Sequence, residues 1–253
     1  VGNELLDGRV IDTNSSWIGY ELRRRCLSLT KITTCCDTIA ATVESLKFLL
    51  SEADVVIVSG GLGPTADDLT RDSVAQLLGV ELKLHQPSLD KLEKWLIGRG
   101  RALTETNRRQ AYIPASSELI DNPVGSAPGF IATYQEKLIC TLPGVPSELK
   151  HLFLNSVMPK IEQSFLQEGS AKEVGFRVFG LPEAEVGLRI ESCKLPAEIT
   201  VCYRVIFPEI EVLFRGENSL VDSALSSAQS VLGSHLVSTD PDLALEALIV
   251  KQL

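Results

Sequence analysis

The stretch "ADVVIVSGGLGPTADDLTRDSVAQLLG", residues 53–79, most constrains what this chain can fold into. Val55–Val58 form an apolar run too short for a helix and ended by glycines, which suits a buried parallel strand. Residues 69–79 read as a helix, with Thr70 as its cap, Asp72 in the first turn and Gly79 at its end. A strand, a glycine loop and a helix in that order place the loop at the carboxyl edge of a sheet. That edge is where open α/β sheets bind ligands.

The same pattern repeats along residues 1–170. "DTNSSWIGYELRRR" offers capping residues followed by Ile18 and Leu22 one turn apart, and so predicts a helix. Val1–Gly8 reads as the tail of a strand and a loop, with a first strand expected upstream. "SLTKITTCC" has the β-branched content of a strand. Ile39, Val43, Leu46 and Leu50 share one helical face. In "KLICTLPGVPSELKHLF" a strand ends at Leu142, a turn follows at Pro143–Gly144, and Pro146 stands where a helix can start. Two strand-to-helix turns of one sheet should face one cleft. From about Gly175 the texture changes, with the break expected near Glu168-Gly169-Ser170. "VGFRVFG", "ITVCYRVIF" and "PEIEVLFRG" predict strands, Pro208 and Glu209 a hairpin turn, and "LPEAEVGLRIES" and "NSLVDSALSSAQSVLG" helices. The expected organisation is an α/β domain over 1–170, with a mostly parallel sheet and helices on both faces, followed by a small α+β module over 171–253.

Six cysteines form no C-x-x-C pair, which disfavours a zinc knuckle or a thioredoxin-like motif. With no secretory signal, they point to a reducing, cytoplasmic setting. No apolar run approaches the ~20 residues a membrane span requires. A net charge of −9 disfavours a nucleic-acid binder, yet a local cradle of amides can still hold a small anion. No G-x-S-x-G elbow is present, and His85, His151 and His235 lie in no catalytic context, so a Ser-His-Asp hydrolase is not expected.

The loop at 59–72 combines glycines that suit an anion with two adjacent acids that should repel one. It lacks the G-x-x-x-x-G-K-[ST] spacing of a P-loop and the third glycine of a dinucleotide fingerprint. A glycine turn feeding a helix N-terminus favours an anion through its free amides and dipole. Tightening of a strand-to-helix turn would explain the glycines equally well. Helix capping would account for one of Asp67 and Asp68, and leaves the other. A divalent cation, magnesium or a similar ion, would let carboxylate and phosphate share the site.

"GNELLDGRVIDTNSSWIGYELRR", "SGGLGPTADDLTRD", "NRRQAYIP", "NPVGSAPGF" and "LPGVPSELKHL" together resemble the CinA family of competence/damage-inducible proteins, over nearly the whole chain. The resemblance implies a MoaB/Mog-like molybdopterin-binding domain over 1–170 and a KH-like module after it. It also implies divalent-metal-dependent ADP-ribose pyrophosphatase activity. The nicotinamide-mononucleotide deamidase domain of many CinA proteins is expected to begin where "ALEALIVKQL" stands, and so to lie outside this chain. By motif, Gly60, Gly61, Gly63 and Thr65 would line the phosphate site. Asp68 and Thr70 match the superfamily pattern G-G-x-G-x-x-x-x-D-x-T, and Asp67 is the CinA-type addition. Asp12, Asn14 and Ser15 should face the same cleft, as should Pro143, Gly144 and Pro146 of the second turn. Asn107 and Gln110 are weaker candidates, for which helix capping or surface hydrogen bonding is the plainer explanation.

The expected function is hydrolysis of a nucleotide-sugar pyrophosphate, ADP-ribose to AMP and ribose 5-phosphate, with Asp68 and Asp67 catalytic and Asp68, Asp67 and Asp12 on the metal. Binding of a molybdopterin or nucleotide without turnover, or FAD-hydrolase-like activity, are the alternatives. A KH module clamps RNA with a G-x-x-G loop, and none occurs after Gly175. Residues 171–253 carry seven basic against twelve acidic side chains. The expected partners are therefore a small phosphorylated nucleotide and a second copy of the chain in a homodimer, with no nucleic acid and no membrane.

Overall fold

The computed structural model describes residues 1–165, 172–239 and 250. The chain forms two compact units: Val1–Ile18 with Thr30–Leu166, and Gly19–Leu29 with Gln167–Leu253. The expected break at Glu168-Gly169-Ser170 lies outside the described residues, as does nearly all of "ALEALIVKQL".

In the first unit the elements run α1 (Asn3–Leu6), α2 (Thr13–Arg23), α3 (Ile39–Glu52), β1 (Val55–Ser59), α4 (Thr70–Leu78), β2 (Leu82–Leu84), α5 (Gln86–Ile97) and α6 (Glu105–Arg108). They continue with β3 (Tyr112–Pro114), β4 (Glu118–Ile120), β5 (Gly129–Tyr134), β6 (Lys137–Leu142), α7 (Pro146–Leu152) and α8 (Met158–Phe165). Helix α2 continues past Ile18 into the second unit. The main sheet has the order β1-β6-β5-β4. Strands β1 and β6 are parallel, with Val55 opposite Leu138 and Ser59 opposite Leu142. Both of their strand-to-helix turns therefore leave the same edge.

The sheet is mixed rather than mostly parallel, because β4-β5 and β5-β6 pair antiparallel. A two-residue turn joins β5 to β6, with Gln135 at φ 49° and Glu136 at φ 69°. Two successive positive φ values suit the twist of a tight hairpin. Neither residue is the glycine or asparagine that would announce such a turn in the sequence. Phe130, Ala132 and Ile139 pack with Leu46 and Leu50 of α3 and Val74 of α4 in one core. Their strand neighbours Ile131, Leu138, Cys140 and Leu142 are buried as well. Both faces are covered, as an α/β sheet requires.

Two local expectations fail. Val1–Gly8 contains the helical turn α1 rather than a strand tail and loop. Residues 28–36 belong to no strand. The β-branched side chains there favour extended backbone, but a strand is defined by a ladder. The segment's one backbone bond to the start of the chain among the described residues runs from the Gly2 amide to Cys35 O, while Val1 N donates to Ser59 O at the end of β1.

In the second unit the order is β7 (Lys172–Phe179), α9 (Glu183–Glu191), β8 (Thr200–Ile206), β9 (Glu209–Gly216), α10 (Asn218–Leu232) and β10 (Leu236–Ser238). The sheet runs β10-β7-β9-β8, with every neighbour antiparallel. A β-α-β-β-α-β order of this kind is a split β-α-β module. It meets the α+β expectation, and nothing in it specifically supports a KH-like module. The hairpin turn is Phe207-Pro208, and Glu209 already belongs to β9. Phe176, Val178, Val212 and Phe214 pack under Val186, Ile190, Val221 and Leu232 of the two helices. On the opposite face the buried Arg177 donates to Glu209 at 2.8 Å, and Arg23 lies 3.3 Å from Glu173. Burial pushes the Glu173 carboxyl up, against the pull of Arg23.

Candidate functional site

The two parallel strands end side by side and their turns meet. Gly60 and Gly61 follow β1 at φ 98° and 69°, conformations that β-carbon-bearing residues rarely adopt. A β-carbon on Gly144, in the turn after β6, would lie 3.3 Å from Gly60 Cα. Asn14, at the start of α2, ties the turns together. Its Nδ2 donates to the Ser59 hydroxyl at 3.0 Å and to Gly144 O at 2.8 Å. These residues line a cavity of about 580 Å³ that also reaches Gly63, Thr65, Asp67, Asp68, Gln110, Ser126 and Glu148.

The loop is braced by its own side chains. Asp68 Oδ1 accepts from the Gly63 amide at 2.8 Å, and Oδ2 accepts from the Thr65 amide at 2.8 Å and the Thr65 hydroxyl at 2.5 Å. Beneath the loop Arg71, 2% exposed, donates to Leu62 O at 2.5 Å and Gly63 O at 2.8 Å. A trans peptide points its N–H opposite its C=O. Arg71, by holding the Leu62 carbonyl inward, therefore turns the Gly63 amide outward onto Asp68. Burial pushes the Arg71 guanidinium down to about 10, with Asp68 and Asp72 opposing the shift.

The expected roles change accordingly. The Gly63 and Thr65 amides are spent on Asp68 and cannot cradle a phosphate. Gly61, Leu62 and Gly144 also line the cavity, and their amides take no partner among the described residues. Thr70 does not cap α4. The N-cap is Leu69, and the Thr70 hydroxyl donates to Gly60 O at 2.9 Å, pinning the glycine turn from below. Ser15 gives its amide, at 2.9 Å, and its hydroxyl, at 2.6 Å, to Asp12 at the entry to α2. Pro143 is buried, while Gly144 and Pro146 are exposed at the rim. Asn107 completes a capping box with Thr104, the plainer of its two readings. Gln110 is 2% exposed and on the cavity, so it is no surface residue.

The expected metal set is not preformed. Asp68 and Asp12 are engaged by Gly63, Thr65 and Ser15, and Asp67 is exposed. Among the described residues no group of three or more His, Cys, Asp or Glu side chains could hold a metal ion. The donor geometry present does not fit a resident cation. Asp67 is exposed, and hydrogen bonding to the Thr65 side chain, which Asp67 shares with Asp68, and to its own amide holds its carboxyl below the usual range.

Sequence reasoning missed Arg71, Asn122 and Glu148. Arg71 had a usable signal, because it occupies the first place of the i, i+3, i+4, i+7 stripe whose other members are Val74, Ala75 and Leu78. A charged side chain there has to be buried with acceptors of its own.

Comparisons with known proteins place the chain in a family. Residues 1–163 match a family described as "Probable molybdopterin binding domain". A CinA-like protein of Escherichia coli O17:K52:H18 (strain UMN026 / ExPEC) is 36% identical over 218 residues, 86% of this chain and 54% of the relative. An Escherichia coli K12 relative named NMN amidohydrolase-like protein YfaY is 35% identical over the same shares. The chain spans about half the length of these curated relatives. A crystal structure of the protein CinA, of unknown function, from Thermoplasma acidophilum superposes with a TM-score of 0.57 at 34% identity. The match covers 64% of this chain and 92% of that one. No helix among the described residues is long and apolar enough to cross a membrane.

Proposed function

This chain belongs to the family of the probable molybdopterin binding domain, and from that premise we propose that its cleft binds a small phosphorylated nucleotide or pterin through the turns after β1 and β6. The observation that carries the reading is the meeting of those turns, with the Gly61, Leu62 and Gly144 amides unspent on one cavity. Backbone N–H groups at the carboxyl edge of parallel strands suit phosphate oxygens. They are fixed in advance by Asn14, Thr70, Asp68 and Arg71, so little ordering cost falls on binding.

Hydrolysis of ADP-ribose to AMP and ribose 5-phosphate is the second reading. What favours it is Asp67, ionised and exposed at the cavity, where it could meet a divalent cation arriving with the substrate's own phosphates. The name of the Escherichia coli K12 relative points to hydrolysis of an amide instead, in a protein of which this chain covers half. A homodimer through the second unit is proposed on the same footing, and light scattering tests it. For the cleft, the experiment is to titrate ADP-ribose, FAD and a phosphorylated pterin separately, with and without magnesium, following binding and released AMP. Binding without AMP release supports capture alone. AMP release that needs magnesium supports the hydrolase, and no binding of any of the three overturns both.

A further inference from the structure

The cavity has a second polar wall apart from the glycine turns. Gln110 lies in the tight turn Arg109–Ala111 and is 2% exposed. Its Oε1 accepts from the Ser126 hydroxyl at 2.9 Å, whereas its Nε2 takes no partner among the described residues. Since Gln110 lines the cavity, this nearly buried amide presents two unused N–H donors to it. Nε2 is not among the described side-chain atoms that are both buried and unpartnered, so its donors stay reachable rather than sealed inside the protein.

Glu148, in the first turn of α7, lines the same cavity. Its Oε2 accepts from Asn122 Nδ2 at 2.6 Å, and its Oε1 takes no partner among the described residues. Asn122 is 3% exposed and fully braced. Its Nδ2 also donates to Ala127 O at 2.8 Å, while its Oδ1 accepts the amides of Val124 and Gly125 at 3.1 and 3.0 Å. A β-carbon at Gly125 would collide with the Glu148 carboxylate, so the glycine is what admits it. A free amide donor and a free carboxylate acceptor thus line one space, the first held by the half-buried Ser126 and the second by the buried Asn122.

We propose that Gln110 and Glu148 read the edge of a nitrogen heterocycle, the ring of the ligand whose phosphate lies at the glycine turns. Gln110 Nε2 donates to a ring carbonyl or unprotonated ring nitrogen, and Glu148 Oε1 accepts from a ring N–H or exocyclic amino group. Nucleobases and pterins carry both kinds of group side by side, whereas ribose and phosphate carry no such edge. This inference rests on the phosphate reading above and goes beyond it by assigning the ring.

The test compares AMP with ribose 5-phosphate, which keeps the phosphate and lacks the ring. Calorimetry would be run on the parent, Gln110→Met and Glu148→Gln, with thermal melts to establish folding. Gln110→Glu, which retains an acceptor for Ser126, replaces Gln110→Met if that variant does not fold. A site built to hydrogen-bond a ligand discriminates strongly once a partner is lost. AMP should bind each variant at least ~10-fold more weakly, while ribose 5-phosphate stays within about 2-fold of the parent. Equal losses for both ligands, or an unchanged AMP affinity, overturn the ring assignment and leave the phosphate reading standing. Failure of the parent to bind either ligand overturns both.

Discussion

Asn14 Nδ2 donates to the carbonyl of Gly144 at 2.8 Å, joining the first turn of α2 to a turn 130 residues further along the chain. The same amide reaches the Ser59 hydroxyl. One side chain thereby fixes the spacing of the two turns that form the cleft. Asn14→Ala should leave Gly144 O and the Ser59 hydroxyl without this partner, at a stability cost of about 1 kcal/mol. It should also weaken binding of AMP by roughly 10-fold, because the turns are no longer held in register. Chemical denaturation and calorimetry on the same samples check both effects.

Room for a ligand would be one reason for a glycine at position 61. The structure gives a different reason. A β-carbon there would run into the Thr70 hydroxyl, below the loop, and φ 69° strains any L side chain. Gly61→Ala should therefore cost about 1–3 kcal/mol of stability even without ligand. A thermal melt of the ligand-free protein decides it. An unchanged melting temperature combined with lost binding would restore the ligand-space explanation.

Asp68 accepts three hydrogen bonds from Gly63 and Thr65 and so braces the loop. Asp68→Asn turns one acceptor oxygen into a donor facing amides that are donors themselves. It should weaken binding of AMP by about 10-fold through a disordered loop, and by the same factor with or without magnesium. A defect that appears only when magnesium is present would point back to a metal ligand.

Burial pushes the Cys140 thiol up to about 12, from an unfolded value near 9. The folded form keeps its proton at pH values where the unfolded form loses it. This contribution to stability is complete below pH 9 and lost as pH rises toward 12. Iodoacetamide at pH 8 should accordingly modify the exposed Cys202 and leave Cys140 untouched in the folded protein. Mass spectrometry of the alkylated peptides reads the outcome.

The sequence made the cleft legible because its signals are local. A short apolar run, glycines and a helix start mark β1, and the same grammar marks β6. What it could not show depends on pairing across the chain. The hairpin joining β5 to β6 uses Gln135 and Glu136 at positive φ, and neither carries a turn signal. Residues 28–36 have strand-like side chains but no ladder. Asp67 and Asp68 look alike in sequence, yet one is bound to Gly63 and Thr65 while the other faces solvent. That difference is set by Arg71, which turns the Leu62 and Gly63 carbonyls inward.

The central claim is that phosphate meets the amides of Gly61, Leu62 and Gly144. Backbone amide chemical shifts, followed while pyrophosphate is titrated into the ligand-free protein, test it most directly. The account predicts saturable shifts at Gly61, Leu62 and Gly144, with the Gly63 and Thr65 amides remaining on Asp68 and moving little. Shifts centred on Gly63 and Thr65, or no saturable shift at any of the five, would contradict it.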